Sequence, residues 1–387
     1  MITTAQRRSR LLARQGFVRP LEVDDAARTL VGLHASDPVT PYVALWARVP
    51  GFERAQLAQA LYDERRLLRV LGMRRTLFVV PHDQAAFMQA GCTRKMVGPQ
   101  TRRLVKMLAE QELVDGDPAA FVARVGDEVV RRLEADGPAT ARELREQIPE
   151  LKLQIRFGEG KAYGGTVGFS TRLLFLLATT GRIVRGRPLG SWLSSQYRWA
   201  ALPDWIGGSL PVVEAEHARA ELLRRWLACY GPGTFTDLHW WSGWGKRDTR
   251  KALAACGAVE VQLEQGPGWD LPDAPDAAPA HHVALTPSLD PTIMAYKDRG
   301  WLLGEHGPRV FDRNGNAGPL AWVDGRVVGG WAHHKGTGEV RLGLLEDVGA
   351  EAEAQLRDRA AALQVWLGDT RISPRFSAPL DKELAQA

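Results

Sequence analysis

Two stretches of this chain carry the same short plan, Gly137-Pro138-Ala139-Thr140-Ala141-Arg142-Glu143-Leu144 and Gly231-Pro232-Gly233-Thr234-Phe235-Thr236-Asp237-Leu238. Gly-Pro stops a preceding helix, because proline has no N–H to give and glycine tolerates the turn. Thr140 or Thr234 can cap the next helix, and Glu143 or Asp237, three places on, completes or approximates a capping box. Both stretches therefore begin helices. After the second copy come a helical pattern over residues 246–255, a strand at 259–263, a Gln-Gly-Pro-Gly turn and a strand at 269–271. After the first, residues 166–179 read as a helix, 182–185 as a strand and Gly186-Arg187-Pro188 as a turn, the same order with an insertion between the helices. Helix, helix, strand, turn, strand is the order of a winged helix.

The N-terminal part offers a third unit, with helical patterns at residues 24–33 and 54–64 leading into a ribbon at 68–80. That ribbon carries Arg69, Arg74 and Arg75, the second carries Arg182, Arg185 and Arg187, and the 246–255 helix carries Lys246, Arg247 and Arg250. Three basic units in one chain can each meet phosphate, which points to duplex DNA as partner. The alternative is that such units are protein–protein modules with ordinary solvated arginines. Lys and Arg outnumber Asp and Glu by 50 to 45, a net charge of +5 that favours a polyanion without demanding one.

Beyond residue 276 the pattern changes. Residues 320–331 read as a hairpin turning at Asp324-Gly325, 339–345 as a further strand and 351–367 as a helix over a small β-domain. The Pro-rich stretch 266–279 reads as a wing tip running into a linker. The expected fold class is α+β: winged-helix modules at residues 1–115, 116–205 and 206–275, then a C-terminal β-domain at 276–387. With 387 residues, 45% of them hydrophobic, sizeable cores are within reach. The three cysteines are far apart and form no CxxC, which fits a reducing compartment. Residues 2–14 hold four arginines and lead into no apolar stretch of signal-peptide length. The longest apolar run, 173–178, is far short of the roughly 20 residues a membrane helix needs. A soluble, cytoplasmic protein is expected.

For chemistry, Leu33-His34-Ala35-Ser36-Asp37-Pro38 stands out. If it is extended, His34 and Ser36 share one side and can hold a water between them, while Ala35 packs on the other. Against this, Ser36 and Asp37 can simply make a turn before Pro38 with His34 a satisfied core residue. A second polar cluster, Asp290, Pro291, Lys297, Asp298 and Arg299, precedes the stretch 311–319 with its Arg313, and turn chemistry explains much of it. His281-His282 and His333-His334 lack metal-site spacing, so no metal or other cofactor is expected. The glycine-rich stretch 158–165 has Ala162 where a phosphate loop places Ser or Thr. It reads as a basic loop. Trp240, Trp241 and Trp244, on a helix, read as core in preference to base-stacking groups.

Taken together, Gly32-Leu-His-Ala-Ser-Asp-Pro38, Leu45-Trp-Ala-Arg48, Gly72-Met-Arg-Arg-Thr76, Leu289-Asp-Pro291 with Lys297 to Arg299, and Asp324-Gly-Arg-Val-Val-Gly329 make the chain resemble the winged-helix DNA glycosylases of the AlkZ and YcaQ family. The resemblance spans nearly the whole chain. It implies three tandem winged helices and a β-domain in a C-shaped, positively charged channel around duplex DNA, and a monomer. It also implies excision of bulky N-alkylated purines, including the unhooking of interstrand crosslinks, without metal or nucleotide. The family's motif of Gln, a hydrophobic residue, then Gln or Asp maps onto His34, Ala35 and Ser36, so both polar positions differ here. His34 would orient or deprotonate a water, Ser36 would hydrogen-bond it, and Asp37 would stabilise positive charge on the sugar. A noncatalytic DNA-binding or regulatory protein is the other reading, and a protein scaffold a remoter one.

Overall fold

A computed structural model describes residues 1–158, 160–161 and 164–386, so the glycine-rich stretch 158–165 lies partly outside the described residues. Gly137 (φ 80°) ends the helix Pro118–Asp136, and Thr140 starts the helix Ala141–Gln147 through a complete capping box with Glu143. At the second copy Thr234 and Asp237 form the same box ahead of the helix Phe235–Ser242. The helix Lys246–Ala255 and the antiparallel strands Val259–Leu263 and Gly266–Asp270 follow. The order is as expected, but the turn sits one step earlier, since residues 266–268 already pair with 261–263.

In the first copy the second helix starts later than its apolar run implied. Gly165–Gly168 is a strand paired with Gln154–Phe157, and the helix is Phe169–Thr179. Gly186-Arg187-Pro188 is likewise no turn. It extends the strand Ile183–Pro188, which pairs with Tyr197–Ala201 across the longer loop 189–196. In the N-terminal part the helices Val23–Thr29 and Thr40–Trp46, and a helical stretch from Arg54 to Asp63, lead to the hairpin Leu67–Leu71/Leu77–Pro81.

The first two ribbons share one six-stranded sheet, in the order Leu33–His34, Leu77–Pro81, Leu67–Leu71, Ile183–Pro188, Tyr197–Ala201, Ala139–Thr140. They are joined where Arg69 pairs with Arg185. The third ribbon stands apart and is clasped by the chain's start, with Ile2 N–H donating to the Gln262 carbonyl at 2.7 Å. The C-terminal strands Val283–Thr286, Leu320–Val323, Arg326–His333 and Val340–Leu344 form a four-stranded antiparallel sheet. The helix Ala350–Leu367 buries Leu356, Leu363 and Leu367 against it.

A buried ion pair ties the ends of the chain together. Arg48 and Asp290, both side chains fully buried, meet in a two-pronged contact at 2.7 and 3.0 Å. The Arg48 guanidinium also donates to Thr292 Oγ1 at 2.8 Å and to the Gln15 carbonyl at 3.0 Å, so nearly all of its donors are used. No helix among the described residues is long and apolar enough to cross a membrane.

Candidate active site

Leu33–His34 is a short strand, and the pairing runs on to Ala35 before the chain bends at Ser36. Leu33 pairs with Val79 and His34 with Phe78, and Ala35 N–H donates to the Leu77 carbonyl at 2.7 Å. Leu33 and Ala35 point into the core, at 0% and 1% exposed, which turns His34 and Ser36 to the other side. There they line one cavity of about 90 Å³. Its floor is apolar, with Met73 and Phe78 from the first hairpin and Trp241 from the helix Phe235–Ser242. Leu289, Pro291 and Met294 close one wall, Phe376 another, and Arg74, Thr76 and Asn316 supply polar groups.

His34 is 6% exposed and packs edge-on against Phe78, 5.4 Å between ring centroids. Its imidazole has no hydrogen-bond partner among the described residues, and Nδ1 is fully buried. Burial first, and the Arg74 charge second, hold its pKa down to about 3, so the ring is neutral at physiological pH. A neutral imidazole keeps one nitrogen able to accept a proton. The Ser36 hydroxyl oxygen accepts from the Leu77 N–H at 3.2 Å, which leaves its own O–H free to donate.

Asp37 is turned away from this pair. Its carboxylate accepts from the Val39 N–H at 3.0 Å and the Arg375 N–H at 2.7 Å and faces a neighbouring small cavity with Ser288 and His333. Burial raises its pKa despite those bonds. The turn-making role weighed against catalysis thus describes Asp37 well, while His34 and Ser36 line the same cavity. Asp37 lies one step outside the 34/36 alternation, which the sequence already contained.

The basic residues divide by what surrounds them. Arg69 is 2% exposed, stacked 4.6 Å from the Tyr197 ring centroid and bonded to the Tyr62 hydroxyl. That burial does not fit the expected phosphate contact. Arg182 pairs with Asp127 at 2.8 Å and Arg187 with Asp63 at 2.6 Å. Arg185 lies half-buried on Trp199, its pKa lowered to about 10 by burial, with the neighbouring Arg69 charge adding to the fall. Arg74, Arg75, Lys246, Arg247, Arg250, Lys297 and Arg313 are exposed, and none makes an ion pair among the described residues. Arg299 is half-buried over Trp240 and Phe311.

The second polar cluster does reach the site, through Pro291 and neighbours of the cluster more than through its charged members. Leu289, Pro291, Met294 and Asn316 come to the cavity wall, whereas Lys297 and Asp298 give their N–H groups to the Asp237 carboxylate at 2.8 and 3.0 Å. Trp241 and Trp244 are core, at 7% and 2% exposed, but Trp240 is half-buried and carries arginines on its ring. Phe376 had no signal in the sequence, because it lies between the helices Ala350–Leu367 and Pro379–Gln386 in a stretch without periodicity. Among the described residues no group of three or more His, Cys, Asp or Glu side chains could hold a metal ion.

A neutral imidazole and a hydroxyl in a small cavity beside unpaired arginines suit hydrolysis on a polyanion, and comparison with known families names the class, the DNA glycosylases. Within it, the chain belongs to the AlkZ-like family, whose profile, described as DNA glycosylase AlkZ-like, it matches over residues 27–366. The fold is that of the Streptomyces sahachiroi DNA glycosylase AlkZ, with a TM-score of 0.70 over 96% of this chain and 98% of that one at 20% identity. A search of curated protein sequences returned no match.

Proposed function

We propose that this chain is a monofunctional glycosylase that excises bulky N-alkylated purines from duplex DNA, including purines joined in interstrand crosslinks. The observation that carries this reading is the partnerless, neutral His34 imidazole lining a cavity shared with the Ser36 hydroxyl. Water placed between them has an acceptor and a donor. As the C1′–N9 bond lengthens, its electron pair leaves with the base, positive charge grows on the sugar, and the water oxygen bonds to C1′. The water's proton passes to the imidazole.

The site as built offers no strong acid to the departing base, since His34 is uncharged and Asp37 faces elsewhere. That restricts the leaving group to one already cationic, as an N7-alkylguanine or N3-alkyladenine is. Three winged-helix units would line a basic channel, with Arg74, Arg75, Lys246, Arg247, Arg250, Lys297, Arg299 and Arg313 toward phosphate. Arg182 and Arg187, already paired with carboxylates, would contribute less, and Asp37 would shape the turn instead of meeting the sugar.

The test is incubation with duplex DNA bearing a bulky N7-alkylguanine. Abasic sites should accumulate, and His34→Ala should slow them on the order of a hundredfold. The second reading, noncatalytic DNA binding, draws on Ser36 bonding the hairpin backbone at a position where the family has Gln or Asp. Duplex binding without abasic product over several adducts would establish that reading and end the first.

A further inference from the structure

At the tip of the first hairpin two consecutive arginines sit in left-handed backbone, Arg74 at φ 52° and Arg75 at φ 63°. Residues with a Cβ rarely adopt it, and a tight hairpin turn closed by Thr76 N–H to the Met73 carbonyl at 3.1 Å imposes it on both, where Gly or Asn is the usual choice. The turn is fixed by Gly72 N–H to the Thr76 carbonyl at 2.9 Å and by contact with Gly243, where a Cβ would come within 3.0 Å of Arg74 Cγ. It sends the two side chains to different neighbours.

The Arg74 guanidinium lies 3.8 Å from the Trp240 ring centroid, and Arg299 lies over the same ring at 4.9 Å. Arg75 lies over Phe175 at 5.4 Å, and Arg172 feels the charges of both Arg103 and Arg75. Arg172 Nε is buried without a partner. None of these five arginines makes an ion pair among the described residues, while Arg182, Arg187 and Arg198 nearby all do. The carboxylate whose charge Arg299 feels, Asp237, is engaged by the N–H groups of Thr234, Lys297 and Asp298. Cations held together on aromatic faces without counter-charge repel, and an anion shared between them removes the repulsion.

We infer that the Arg74-Arg75 turn is a two-headed phosphate clamp: Arg74 with Arg299, both on Trp240, seats one backbone phosphodiester beside the His34 cavity, and Arg75 with Arg172 seats a second. Trp240 is a positioning residue. The inference rests on the reading above that this face meets duplex DNA, and it specifies which arginines share a phosphate.

Binding of an undamaged duplex across a salt series tests it, because each neutralised phosphate contributes about 0.9 to the slope of log K against log salt. Arg74→Gln should lower the slope by about one contact, Arg75→Gln by another, and the two together by about two. Arg74→Gln/Arg299→Gln should lower it no further than Arg74→Gln alone, Trp240→Leu should match Arg74→Gln, and Trp240→Phe should keep the wild-type slope. Asparagine accepts left-handed backbone more readily, so Arg74→Asn should melt no lower than wild type yet lose the same contact. Additive slopes for Arg74 and Arg299, or an unchanged slope in Arg75→Gln, would overturn the clamp and leave the DNA reading standing. A wild-type protein that binds no duplex would overturn both.

Discussion

In the proposed reaction His34 is the residue on which the chemistry turns, and its charge state has a consequence for stability. Its folded pKa of about 3 lies below the usual histidine value of about 6.5, so the unfolded chain takes up a proton first as pH falls. The folded state therefore keeps its full stability above about pH 6.5 and loses this contribution progressively toward pH 3. We expect His34→Gln to lose less stability than wild type between about pH 7 and pH 5 in urea titrations. Excision by the free enzyme should show no acid limb near pH 6.5. An inflection there would mean that His34 titrates as an exposed imidazole. Ser36 differs in kind, since its oxygen is already committed to the Leu77 N–H and only its proton is available.

Between residues and the whole lie the capped helices and ribbons. The two capping boxes look alike in sequence but are not equivalent in the fold. Thr140, buried beside a half-exposed Glu143, accepts from the Glu143 N–H at 3.1 Å, and Thr140→Ala should cost about 1 kcal/mol in denaturant unfolding. Asp237 is fully buried and accepts from Thr234, Lys297 and Asp298. Asp237→Ala leaves three part-buried N–H groups without this acceptor, so a loss of about 3 kcal/mol is expected in the same experiment. It should also weaken duplex binding by freeing the segment that carries Arg299. Boxes of this kind were legible in the sequence because all their atoms lie within four residues. The merging of two ribbons into one sheet was not, because a single pairing, Arg69 with Arg185, decides it from 116 positions apart (185 − 69). Likewise Gly186 and Pro188 carry turn chemistry yet lie in a strand, where Gly186 leaves room for Trp205 about 3.0 Å from where a Cβ would stand.

At the scale of the molecule, the Arg48–Asp290 pair couples the N-terminal helices to the segment whose Leu289 and Pro291 wall the cavity. Removing one partner strands a buried charge, so Arg48→Met should cost about 3–5 kcal/mol, and Arg48→Met/Asp290→Leu clearly less than the two single changes added together. A double-mutant cycle in denaturant checks this, with turnover expected to fall in the single variants because Leu289 (φ 58°) is held in an unfavourable backbone state beside Asp290. The sequence showed His34 and Ser36 on one side of a strand because alternation is a two-residue rule. It could not show what faces them, since the opposing surfaces come from positions 73 to 376 and meet only in three dimensions. Phe376 closes one wall and the Arg375 N–H holds Asp37. The cavity shared by His34 and Ser36 is thus completed from the far side of the sequence: in the proposed reaction, Phe376→Ala should slow excision while leaving the grip on undamaged duplex as it was, although that position lies 342 residues from the imidazole (376 − 34).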